Sequence, residues 1–383
     1  MEAVRGGSSR RSAARSAGVP LSTVQYWLTR AGGLPLDEVD WASRPPVAVR
    51  VARTPPGVED LVLDMRQALR ALSVLGEYGP VAIRRALAEL AEPPVPLPAV
   101  RTIARILERR GALDSARRVR RPAPPPGWYL PDVRRRELEL DSFDVISGLR
   151  LLGGIDVDIL TGISLHGGLT AAWPAAGVTA RSTVDAIAEH WRAVGRPGYA
   201  QFDNDTRFIG GHSYPNSIGP VIRFCLAAGV VPVFAPPLEV GFQASIEAFN
   251  GLWQRKLWAR FWTPDLESLT ARSEAYIAAS RQRSRVRIEA APDRAVLGLA
   301  GIPDLTAAPS GRIVFIRRTS AHGTASILKR LYPVDPRWVN RLVRGELDLD
   351  ARRVRFYALR RREPDDQPLL GDAAFEPPAR WFR

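Results

Sequence analysis

The chain has 383 residues, 45% hydrophobic and 25% charged, with a formal net charge of +14. It is long enough for several globular domains. It has no apolar run long enough to span a bilayer and no apolar segment of a secretory signal, and its one cysteine, Cys225, excludes an intrachain disulfide and a paired-cysteine zinc site. A cytoplasmic, nucleoid-associated protein with no membrane partner is expected. The sequence pI of about 10.8 points to an anionic partner, most simply nucleic acid. Arginine carries nearly all the positive charge, Lys256 and Lys329 being the only lysines.

Residues 1–35 read as a helix-turn-helix. Ala13, Ala14 and Ala17 give a small apolar face, Gly18 a turn, and Ser22 a cap for a second helix with Val24, Trp27 and Leu28 on one side. In that motif the second helix enters the major groove, so Ser22, Thr23, Gln25 and Tyr26 are expected to face DNA. Residues 36–58 are rich in Pro and Gly and read as a linker. Residues 59–112 form a second helical DNA-binding module, with Leu61, Met65, Leu69 and Leu72 at helical spacing. A later helix in it carries Val100, Ile103, Ile106 and Leu107 inward and Arg101, Arg105, Arg109 and Arg110 outward, a face suited to phosphates. Residues 113–135 read as a basic, Pro-rich linker.

From 136 to 300 the pattern changes to β-β-β-α-β-α-β-α, a mixed five-stranded sheet covered by helices. Residues 301–362 suggest a small basic β-barrel, and 363–383 a loosely ordered tail.

Three acids stand out. Asp203 lies where a strand runs out, the usual place for function in α/β sheets. Glu247 lies on a helix whose apolar stripe is Phe242, Ile246, Phe249, Trp253 and Leu257, while Gln243, Glu247, Asn250 and Gln254 line another face. Asp141 lies on an upstream strand, sharing a face with Glu139, and Asp144 lies on the opposite face of that strand.

LELDSF, FDNDTRF and APPLEVGFQASIEAFN resemble the catalytic segments of bacterial insertion-sequence transposases and integrases, whose core is ribonuclease-H-like. The resemblance covers about 136–300, and the flanking modules are similar to accessory domains of such enzymes. It implies a catalytic and metal-binding triad of Asp141, Asp203 and Glu247, with Asn204, Gln243 and Asn250 behind it. It departs from the pattern in two ways. Asp205 replaces a glycine, and the interval from Asp203 to Glu247 is long, so that Glu239 fits the usual spacing but sits in a Pro-flanked loop.

The resemblance implies a DNA transposase that cuts transposon ends and joins the 3′-hydroxyl to target DNA. Two Mg²⁺ ions, with Mn²⁺ as substitute, would serve the phosphoryl transfer. Double-stranded DNA and a homo-oligomer assembled on it are the implied partners. The alternatives are an inactive DNA-binding regulator or assembly factor of the same fold, and a metal-dependent nuclease that only hydrolyses.

Overall fold

The computed structural model describes residues 1–42, 54–113, 127–210, 215–237, 239, 241–261, 263–298 and 301–378. The chain forms two compact units, 1–57 and 58–383. In the first, α1 (Glu2–Arg5), α2 (Arg10–Ser16) and α3 (Leu21–Ala31) follow one another. Ser9 caps α2 by accepting from Ser12 N at 3.1 Å, and Gly18 turns the chain at φ +61. The expected Ser22 cap is not used. Helix α3 opens behind Pro20, which already fixes the entry angle, and Ser22 lies exposed inside the first turn. Trp27 packs on Trp41 at 5.4 Å, with the Arg30 guanidinium 5.0 Å over its ring.

The second unit is entered on α4 (Pro56–Leu72), so the helix begins inside the expected linker. With α5 (Pro80–Ala88) and α6 (Val100–Arg109) it encloses Val62, Ile83, Leu87, Ile103, Ile106 and Leu107, all fully buried. Part of the expected linker 113–135 is core. Trp128, Tyr129, Leu130 and Val133 are buried around α7 (Pro131–Arg134), because three aromatic or aliphatic side chains in a row have nowhere else to hide from water. Residues 43–53 and 114–126 of the two linkers lie outside the described residues.

β1 (Leu140–Arg150), β2 (Asp156–Ser164) and β3 (Thr170–Ala175) form an antiparallel meander. α8 (Ala180–Val194) leads to β4 (Tyr199–Phe202), which pairs in parallel with β1. Short α9 (Thr206–Ile209) and α10 (Pro220–Ala227) lead to β5 (Val231–Phe234), parallel to β4. α11 (Ala244–Trp253) runs into a π-helical turn over Gln254–Trp258, followed by α12 (Leu266–Arg283) and α13 (Arg285–Glu289). The expected five-stranded block is present in the order β3-β2-β1-β4-β5.

The C-terminal region is not a separate barrel. β6 (Arg312–Arg318) pairs in parallel with β5, and β9 (Leu342–Asp348), β10 (Arg353–Ala358) and β11 (Leu369–Ala374) extend the sheet to nine strands. β7 (Thr324–Ile327) and β8 (Arg330–Pro333) make a separate hairpin. The reason is legible in β6, which is apolar on both faces. Ile313 and Phe315 join one side of the core, Val314 and Ile316 the other, as a central strand requires. Pairing also covers the backbone groups that β5 would otherwise present as an edge. β11 falls in the expected tail, which is therefore ordered through its first half; residues 379–383 lie outside the described ones.

One face of the sheet is covered by α8 and α10, through Val184, Ile187, Trp191 and Phe224 with Phe143 and Phe202. The other is covered by α11 and α12, through Ile246, Phe249, Trp253 and Leu269 with Ile146 and Ile159. α8 starts in a reciprocal box in which the side chains of Thr179 and Ser182 each accept from the other's backbone N–H. Thr179→Ala is expected to cost about 1 kcal/mol, read as a fall in the denaturant midpoint without a change in slope.

Candidate active site

Alternation along β1 sorts the acids. Phe143 faces α8, stacking on Phe202 at 5.7 Å and meeting Trp191 at 6.2 Å. Asp141 is two residues away and faces the same side. It is 2% exposed and fully engaged: Arg294 Nη1 donates to Oδ1 at 2.9 Å, and Arg294 Nη2 and Trp191 Nε1 donate to Oδ2 at 2.6 and 3.0 Å. Ser142, Asp144 and Ile146 face α11 instead. Asp144 lies opposite Thr161 of β2, and Asn250 of α11 bridges the two. Its Nδ2 donates to Asp144 Oδ2 at 2.7 Å, and its Oδ1 accepts from Thr161 Oγ1 at 2.8 Å.

Asp141 thus lies on the α8 face with its carboxylate engaged by Arg294 and Trp191, while Asp144 lies on the α11 face of the same strand, bonded to Asn250. Burial first, and then Asp203 and Glu247, push the Asp144 carboxyl up to about 6, against the opposing pull of the Val145 N–H and Arg207. The fields of the other two acids thus reach Asp144. Asp203, one residue beyond β4, is also raised, first by burial and then by neighbouring Asp205, against the pull of the Asp205 N–H and Arg207. The Asp205 N–H donates to Asp203 Oδ1 at 3.0 Å. Glu247 projects from the first turn of α11 and is exposed.

Asp205, the residue that departs from the family pattern, has its own task. It caps α9 by accepting from Arg207 N at 2.8 Å and grips the Arg207 guanidinium, Nε to Oδ1 at 2.9 Å and Nη2 to Oδ2 at 2.7 Å. Arg207 also reaches Asp158 at 3.4 Å. A cation is thereby fixed beside the acids, a feature the sequence reading misses; the pair Asp205–Arg207 two residues apart at a helix start is the signal that would have found it.

Of the supporting residues, Asn250 bonds Asp144 and Thr161 rather than any of the three expected acids. Asn204 turns away: it donates to Ala235 O at 2.8 Å and accepts from Arg317 Nη2 at 2.8 Å, tying β4 to β5 and β6. Gln243 precedes α11 and makes no hydrogen bond to the acids; its Nε2 is buried without a partner among the described residues. Glu239 is held by Arg318 at 2.5 Å. His166 is a buried core residue whose Nε2 lies 2.8 Å from Val133 O, and His212 lies outside the described residues.

Among the expected DNA contacts, Ser22, Gln25 and Tyr26 are exposed on α3 and Thr23 is half-buried. Arg101 and Arg105 are exposed on α6. Arg109 and Arg110 are committed elsewhere: both bond the buried Glu59, and Arg110 also bonds Asp60 at 2.8 Å, which locks α6 to α4. The phosphate-facing row is thus shorter than the spacing suggests.

Among the described residues no three His, Cys, Asp or Glu side chains are gathered closely enough to hold a metal ion as they stand. No helix among those residues is long and apolar enough to cross a membrane. Asn250→Ala is expected to cost about 1–3 kcal/mol in denaturant unfolding, since it strips a half-buried carboxylate and a buried hydroxyl of one partner each.

No protein-family model and no curated protein matches the sequence. Solved structures similar to it include a retroviral intasome and retroviral integrase catalytic cores. One is the simian T-cell lymphotropic virus intasome in complex with PP2A regulatory subunit B56 gamma, at 13% identity and TM-score 0.35 over 70% of this chain and 84% of that one. Another is the BIV integrase catalytic core, at 14% identity and TM-score 0.31 over 39% of this chain and 94% of that one. A third is the HTLV-2 integrase catalytic core in complex with magnesium, in a trimeric form, at 14% identity and TM-score 0.27 over 37% and 80%. At such identities the chemistry has to be read from the side chains of this chain itself.

Proposed function

We propose that the chain is a metal-dependent polynucleotidyl transferase of the transposase and integrase type, and that Asp144, Asp203 and Glu247 are its catalytic acids. The observation that carries this reading is the placing of Asp144 on the α11 face of β1, bonded to Asn250 three residues after Glu247, where burial and then Asp203 and Glu247 raise its pKa. A carboxylate such as Asp144, whose proton affinity is raised by burial and by two neighbouring acids, gains by admitting a cation. Their hard oxygen donors fit Mg²⁺, and exposed Glu247 is the member best placed to close a ligand set. A bound pair of ions supplies charge neutralisation at the attacking and leaving oxygens. The chain's own residues do the rest. Asn250 fixes the Asp144 carboxylate against Thr161, and Arg207, held by Asp205, keeps Asp144 and Asp203 from drawing protons more strongly still. Ser22, Thr23, Gln25 and Tyr26, with Arg101 and Arg105, serve double-stranded DNA, and pairing two DNA ends calls for a homo-oligomer on the DNA.

The test is a cleavage and strand-transfer assay with Mg²⁺ or Mn²⁺ on duplexes taken from the DNA flanking the coding sequence. Joined 3′ ends support the reading, and absence of both cutting and joining with every such duplex rejects it. Metal binding is checked separately by thermal unfolding. Mg²⁺ is expected to raise the melting temperature at pH 7.5, and the rise should fade as pH falls through about 6, where Asp144 takes up its proton. The metal-free protein responds in the opposite sense. A carboxyl whose folded pKa is raised contributes stability that is present at low pH and lost as pH rises through about 6.

A further inference from the structure

Beside the acids lies a cavity of about 600 Å³, inside the range of roughly 300–1,000 Å³ typical of small-molecule sites. Ser142 and Gln201 form part of its wall. Each stands two residues before an acid, Asp144 or Asp203, which is about 7 Å along a strand. The cavity therefore opens next to the acids.

Its far corner is aromatic. The Phe242 ring lies 5.7 Å from Trp128 and 5.3 Å from Tyr129. Its polar groups are neutral. Ser142 Oγ donates to Gln201 Oε1 at 3.1 Å and Gln201 Nε2 donates to Tyr129 Oη at 2.7 Å, while burial raises the Tyr129 hydroxyl pKa. Two wall residues carry buried polar atoms with no partner among the described residues, Gln243 Nε2 and Thr170 Oγ1. The one charged wall residue among the described residues, Arg287, is bonded to two backbone carbonyls, His166 O and Leu165 O, each at 2.6 Å. A phosphate finds no uncommitted cation among the described wall residues. A flat ring with a polar edge finds stacking faces and two waiting polar atoms.

We propose that this cavity receives an unpaired nucleobase of the DNA strand held at the acids, stacked against Phe242 and Trp128 and bonded at its edge by Gln243. The proposal rests on the polynucleotidyl transferase reading. Aromatic stacking and edge hydrogen bonds would replace the stacking that a base loses on leaving the duplex.

The test uses the full chain and a duplex with an unpaired 3′ overhang carrying 2-aminopurine. Binding to the wild type is expected to quench the overhang fluorophore, because its base stacks on aromatic rings, and to leave a base-paired fluorophore unchanged. The Ser245→Leu/Ala248→Leu variant fills the cavity from one face of α11 and should abolish the quench. Its duplex affinity by anisotropy should shift less than about twofold, and its circular dichroism should match the wild type. Asp203→Asn should keep the quench while losing cleavage. An unchanged quench in the filled variant, or no quench in a wild type that cuts and joins, overturns the nucleobase site. A quench that the filled variant abolishes, in a protein that never cuts, instead rejects the transferase reading and leaves the site standing.

Discussion

Asp144→Asn is expected to remove metal-dependent cutting and joining by on the order of 10³-fold while leaving the protein folded. Such a loss corresponds to about 4 kcal/mol of transition-state stabilisation. The amide preserves shape, and its oxygen still accepts a hydrogen bond from Asn250 or from Val145 N, the two donors that hold the carboxylate now. What goes is the negative charge, and with it one of the three groups proposed to hold a cation. Asp203→Asn and Glu247→Gln should match it in size, because acids that act on one charge centre fail together rather than additively. Mg²⁺ should no longer raise the melting temperature of any of the three. The measurement is single-turnover strand transfer on the duplex that the wild type processes. Asp144→Asn activity within tenfold of wild type would remove Asp144 from the site.

Much of this arrangement is legible in the sequence, and the parts that are not fail for identifiable reasons. Strand β4 ends at Phe202 as its apolar run does, and Glu247 and Asn250 share a helix face because three residues separate them. The choice between Asp141 and Asp144 turns on which face of β1 meets α11. Sequence spacing shows that the two point opposite ways but does not say which way is which. The hint lies in the neighbours: Asp141 alternates with Phe143 and Val145 on the apolar side, where an acid needs a buried cation, and that cation, Arg294, lies far away in sequence. The C-terminal strands mislead for a similar reason. A short Arg-rich meander reads as a free-standing barrel until β5 is seen to offer it an edge. Trp128 and Tyr129 read as part of a linker because the prolines before them dominate the local composition, whereas their burial depends on Phe242, distant in sequence.

The ion pair of Asp141 with Arg294 carries a second expectation of comparable size and opposite kind. Asp141→Ala should destabilise the protein by about 3–5 kcal/mol, the range for breaking a buried ion pair by removing one partner. Arg294, whose side chain is 13% exposed, would keep its charge with no carboxylate in reach of the present bonds, and Trp191 Nε1 would lose its acceptor. The damage spreads through the backbone as well, since Arg294 Nε also donates to Gly195 O at 3.0 Å beside the Arg196–Ala295 bridge. His190 offers no substitute: burial first, and then Arg281 and Arg294, depress it to about 4 against the opposing pull of Asp141, so it stays neutral at pH 7. Pairing Asp141→Ala with Arg294→Met should restore part of the loss, because the uncompensated charge leaves with the arginine. Urea unfolding measures both variants, and strand transfer by the folded fraction at low temperature separates the two roles. Activity retained in a destabilised Asp141→Ala fits an ion pair that holds the α8 face together, whereas a stable, inactive Asp141→Ala would return Asp141 to the metal site and exclude the assignment made here.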